Sequence, residues 1–67
     1  MPSPYRKHCG KNVVVQTDDA TLIGDLAEAT AETITLGSVA VAEATGRSKM
    51  DGLVVVPLWR IAWVQVT

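Results

Sequence analysis

The sequence predicts an all-β domain, a small five-stranded and strongly bent antiparallel barrel preceded by a short helical turn. Three observations carry that expectation. Short apolar runs follow one another from residue 12 to residue 67, with turn-forming residues between them. The second run alternates apolar with polar residues and holds Gly24 in its interior. A glycine there marks a sharp bend or a close approach of two backbones, because a Cβ would clash. Finally, 67 residues suffice for one domain only, so residues 1–67 are read as a single unit.

Ser3 followed by Pro4 reads as a helix N-cap with proline at the first helical position, and Gly10 can end the turn in the left-handed conformation. Residues 4–9 are therefore a helical turn. Arg6, Lys7 and His8 sit near its C-terminal end, where positive charge is favoured. Residues 12–17, centred on Val13, Val14 and Val15, are the first strand, and Asp18-Asp19 is a turn. Residues 20–28 are the second strand, with Leu22, Gly24 and Leu26 on one face and Thr21, Ile23 and Asp25 on the other. Residues 30–32 make a tight connection into the third strand, residues 33–42. Ile34 and Leu36 share one parity while Val39 and Val41 share the other, a switch that needs a bulge or bend at Gly37-Ser38. Residues 44–52 are the one substantial loop, polar and with a glycine near each end. Residues 53–56 are the fourth strand, which Pro57 must end because it has no amide hydrogen. Residues 60–66 are the fifth, apolar on both faces through Ile61, Ala62, Trp63, Val64 and Val66. A strand apolar on both sides is covered on both sides, and in so small a barrel a neighbouring subunit is the expected cover.

Size and composition point the same way. A chain this short buries only about 60% of its unfolded surface, and such scaffolds lean on disulfides, metals or oligomerisation. Cys9 is the only cysteine, so no internal disulfide can form, and one His with one Cys cannot supply a structural zinc site. With 48% hydrophobic and only 19% charged residues, some apolar area is expected to face a partner. The expected partner is another copy, in a homo-oligomer that can be a ring, or a different protein. The formal net charge of −1 weighs against general binding to nucleic-acid phosphates. No stretch approaches a membrane span, and the opening residues lack the apolar core of a signal peptide. One free thiol suits a reducing interior, so the expected setting is the cytoplasm or a virion assembled there.

The order of elements, with Gly24-Asp25-Leu26 followed by Ile34-Thr35-Leu36 and then Ile61-Ala62-Trp63-Val64, resembles the Sm-like family over residues 4–66. Other small barrels of the SH3-like group share the pattern. Sm-like proteins form rings by pairing strand four of one subunit with strand five of the next, and commonly bind single-stranded RNA. The resemblance thus implies strand addition between residues 53–56 and residues 60–66, with Leu53, Val54, Val55, Val56, Trp59, Ile61, Trp63 and Val64 at the oligomer interface. It also implies RNA contacts at Thr30, Thr33, Arg47, Lys49 and Arg60. The RNA signature departs from the family, however. Where an aspartate, an aromatic or methionine, and an asparagine are expected, this chain has Thr30, Glu32 and Thr33, so the base-stacking aromatic is missing. Pro57-Leu58 replaces the arginine–glycine pair before the last strand. The segments 51–57 and 61–66 also resemble small proteins of actinobacterial phages, which makes a virion component one concrete setting.

No chemistry-bearing constellation emerges. His8 and Cys9 are adjacent, and neighbours in a helical turn point about 100° apart, badly placed for a nucleophile–base pair or for two metal ligands. Asp18-Asp19 reads as a turn, and Asp25 and Glu28 lie on opposite faces of a strand. There is no P-loop or dinucleotide fingerprint. The expectation is therefore a non-enzymatic structural or interaction module with no cofactor, metal, membrane or small-molecule substrate, and with single-stranded RNA binding in a ring as the second reading. Trp59 and Trp63, with Arg60 between them, are either core, protein interface or a stacking surface for a ligand.

Overall fold

The computed structural model describes residues 5–43 and 45–67. It is all-β: β1 (Asn12–Thr17), β2 (Thr21–Ala29), β3 (Thr33–Glu43), β4 (Gly46–Lys49), β5 (Val54–Pro57) and β6 (Ile61–Val66), with 3-10 turns at Arg6–His8 and Leu58–Arg60. All strands join one antiparallel sheet in the order β4-β3-β2-β1-β6. β5 lies off that path and shares one edge of β3 with β4: it pairs residues 33–36 of β3, while β4 pairs residues 40–43. No ladder joins β5 to β6, so the sheet is bent but not closed between them.

Six strands rather than five result because the polar segment expected to be a loop folds back on β3 as β4. All four β4 residues are exposed, so backbone pairing rather than apolar periodicity makes this strand. The expected helical turn is present only as a 3-10 turn at Arg6–His8, with Gly10 at φ +89° as anticipated. The Ser3 cap and Pro4 lie outside the described residues. The strand expected over residues 53–56 spans Val54–Pro57 instead, leaving Leu53 outside it, and the one expected from residue 60 starts at Ile61 because residues 58–60 form the second 3-10 turn.

The core collects the inward parity of each strand: Val13 and Val15 from β1, Leu22 and Leu26 from β2, Ile34, Leu36 and Val39 from β3, and Val56 from β5. Each such aliphatic side chain, fully buried, contributes roughly 1.5–3 kcal/mol. The parity switch on β3 falls where expected. Ser38 has φ +52°, and the β2–β3 register slips between Ile23 and Asp25, beside Gly24. A Cβ on Gly24 would stand 2.8 Å from the Gly37 carbonyl oxygen. The two strands can cross this closely only because Gly24 lacks that atom.

Candidate strand-edge interface

Among the described residues the sheet has three open edges, on β4, β5 and β6, and their chemistry differs. β4 displays Arg47 and Lys49, both exposed. Charged residues, lysine above all, blunt an edge against pairing. β5 and β6 carry no charge, and most of the exposed large apolar side chains lie on and around them: Leu53 (68% exposed), Val55 (59%), Trp59 (83%) and Trp63 (49%), with Met50 (44%) alone following β4.

The direction of the backbone groups follows from the ladders. The Leu58 N–H donates to the Glu32 carbonyl at 2.8 Å, and the Thr67 N–H donates to the Asn12 carbonyl at 3.0 Å. Antiparallel partners alternate between bonded and non-bonded pairs, so Val54 and Val56 spend their N–H and C=O groups on β3, and Trp63 and Gln65 spend theirs on β1. The N–H and C=O of Val55, Val64 and Val66 therefore face away from the sheet. Pro57 offers only its carbonyl on that edge. Ala62 sits at the irregularity opposite Gln16 and Thr17, where the β1–β6 register shifts.

Of the interface residues expected from sequence, Leu53, Val55, Trp59 and Trp63 are exposed, whereas Val56 is buried and Val54, Ile61 and Val64 pack against the core. The latter residues can contribute backbone to a contact, but their side chains are largely spent inside. Neither tryptophan is core. Trp59 stands on the 3-10 turn between β5 and β6, so it is not in register with Trp63 on one strand face. Beside it lies an open depression of about 540 Å³ lined by Ala31, Glu32, Thr33, Pro57, Leu58 and Trp59.

The residues expected to touch RNA do not converge. Thr30 and Thr33 flank the β2–β3 turn, where the Thr30 hydroxyl accepts the Thr33 N–H at 3.0 Å and the Glu32 N–H at 3.3 Å. Arg47 pairs with Ala42 at the other end of β3, on the order of 30 Å of strand path from Thr33. Arg60 reaches Asp18 at 3.3 Å and Asp19 at 3.5 Å, with its guanidinium 5.8 Å from the Trp59 ring centre. His8 is half-buried with Nδ1 unpartnered, and Cys9 is exposed. Among the described residues no group of three or more His, Cys, Asp or Glu is placed to hold a metal, and no helix is long and apolar enough to cross a membrane.

Comparison with protein-family models, with curated proteins and with solved structures finds no match for this chain.

Proposed function

We propose that this chain is a non-enzymatic small β-barrel of the Sm-like or SH3-like kind that self-assembles by strand addition and serves as a structural or interaction module, with a phage virion as one setting. The observation that carries the reading is the contrast between edges: β4 is guarded by Arg47 and Lys49, while β5 and β6 are uncharged and flanked by exposed Leu53, Val55 and Trp63. Strand addition uses outward-facing backbone groups for affinity and neighbouring side chains for specificity. β5 of one copy would meet β6 of the next, with Val55 opposite the Val64–Val66 stretch. Two different patches then join, so the contact is heterologous and yields either a closed ring or an open filament.

The test is native mass spectrometry of the wild type beside Val55→Lys and Trp63→Asp, with circular dichroism to confirm folding and absorbance at 260 nm to detect nucleic acid. Both side chains are exposed, so both variants should fold. The expected result is a nucleic-acid-free oligomer that each substitution shifts toward monomer. A wild-type monomer, or folded variants with unchanged assembly, would overturn the interface. A ring that co-purifies with RNA would instead install the single-stranded RNA reading.

A further inference from the structure

The outer face of the sheet is a second unpartnered surface, distinct from the edges. The strand registers align Arg47, Ala42, Thr21, Gln16 and Trp63 in one row across β4, β3, β2, β1 and β6. The next row is Lys49, Ala40, Ile23, Val14 and Gln65. All these positions have the parity opposite to core residues Val13, Val15, Leu22 and Val39, so they face away from the interior. At about 4.8 Å per strand, each row runs about 19 Å.

An antiparallel sheet with one solvated face ordinarily puts polar residues there. On this face Val14, Ile23, Ala40 and Ala42, each half-buried and none packed on the core cluster, form an apolar strip beside the hydrogen-bonded polar pair Gln16 and Thr21. Its cations stand at one side: Arg47 and Lys49 lie at the β4 end, Trp63 closes the β6 end, and the carboxylate of this face, the exposed Asp25, stands one row further along β2, opposite Asn12.

We propose that this face docks an amphipathic helix of a partner protein, with an apolar stripe on Val14, Ile23, Ala40 and Ala42 and acidic side chains against Arg47 and Lys49. A helix satisfies its own backbone, so it can cover a face whose backbone groups are already spent in ladders. The row length corresponds to about 13 helical residues at 1.5 Å each. The cations select an acidic flank, because like charges at a contact are strongly unfavourable. Single-stranded nucleic acid fits less well: the centre is aliphatic, and only Trp63 offers a stacking surface. A second copy presenting the same face would bring only Asp25 as an anion against the Arg47 and Lys49 of both copies. Trp63 borders both the β6 edge and this face, so Val55→Lys, which lies off the face, is the variant by which the two readings fail separately.

The test uses three fluorescently labelled probes on the full chain: a helical peptide with a leucine stripe and glutamate flanks, its lysine-flanked twin, and a short oligo-U. Fluorescence anisotropy measures binding. The expected result is saturable binding of the glutamate-flanked peptide, weakened about tenfold by the exposed double variant Arg47→Glu with Lys49→Glu and reversed in preference toward the lysine-flanked twin. Folding of the variant is checked by circular dichroism. Equal binding of both peptides, indifference to the double variant, or preference for oligo-U would overturn the proposal. So would loss of oligomer on Ala40→Lys, since a second copy would then be the cover.

Discussion

Gly24→Ala tests the bend on which the whole sheet depends. A Cβ there would meet the Gly37 carbonyl oxygen at 2.8 Å, the Val39 Cγ2 at 3.2 Å and the Val39 Cα at 3.4 Å. Two of the three are backbone atoms, so relief requires β3 to move against β2 rather than a side chain to rotate. Over-packing of this kind costs about 1–3 kcal/mol. Against it stands the reduced freedom of the unfolded chain, which favours alanine by about 0.4–1 kcal/mol. The contact term wins, leaving a loss of about 1–2 kcal/mol. Domains of this length hold only about 3–10 kcal/mol in total. At roughly 4–8 °C per kcal/mol, the melting temperature should fall by about 5–15 °C. The assay is thermal unfolding by circular dichroism at fixed protein concentration, because self-association would make the midpoint concentration-dependent. Gly37→Ala is the internal control. Its Cβ would find only the Leu53 Cδ2, at an ordinary 3.6 Å, so it should melt at or slightly above the wild type. If Gly24→Ala matched the wild type, or Gly37→Ala fell as far, the close-crossing argument would be refuted.

Two further predictions concern the β1–β2 turn. Thr17 is buried, and its hydroxyl accepts the Ala20 N–H at 3.0 Å while lying 3.0 Å from Asp19 Oδ1. Thr17→Val keeps the shape and strands that N–H, so the urea midpoint should drop by the equivalent of about 1–3 kcal/mol with an unchanged slope; an unmoved midpoint would show that water replaces the hydroxyl at no cost. Arg60→Ala removes contacts to Asp18 and Asp19, but the Arg60 side chain is 40% exposed and the carboxylates more so. Its effect should stay below about 1 kcal/mol in dilute buffer and vanish in molar salt, and a larger or salt-independent loss would mean that Arg60 holds the β5–β6 connection in place.

How much of this was legible in the sequence depends on which physical signal each element carries. The core strands announced themselves: Leu22, Gly24 and Leu26, which alternation placed on one face, are buried together, whereas the run of Val13, Val14 and Val15 marked a strand without showing that Val13 and Val15 are its inward side. Gly24 and Gly37-Ser38 were readable for the same reason: a forced parity switch and a missing Cβ leave few alternatives. β4 was not readable. Gly46, Arg47, Ser48 and Lys49 are polar throughout and are held by pairing with β3, a tertiary cause that local composition does not record. Trp59 misled in the opposite direction. Core was one of the places open to it, but the amide-less Pro57 ends β5 and passes the chain into a 3-10 turn that holds the ring in solvent.

The candidate surfaces divide along the same line. The fifth apolar run, here β6, was expected to be covered on both sides, and under the two proposals above that need divides in two. Its backbone edge, with Val64 and Val66 facing outward, calls for a strand. Its outer face, where Trp63 and Gln65 continue rows that begin at Arg47 and Lys49, calls for a layer. Only the first need shows in a single run of sequence. The second arises from Val14, Ile23, Ala40 and Ala42, each unremarkable in its own strand, which become a continuous apolar strip once the registers place them side by side. A pattern that exists only across strands has no period along the chain, so it becomes visible only when the ladders are known. The two surfaces can be perturbed apart: a variant at Val55 probes the edge without touching the strip, and one at Arg47 and Lys49 probes the strip without touching the β5 and β6 edges.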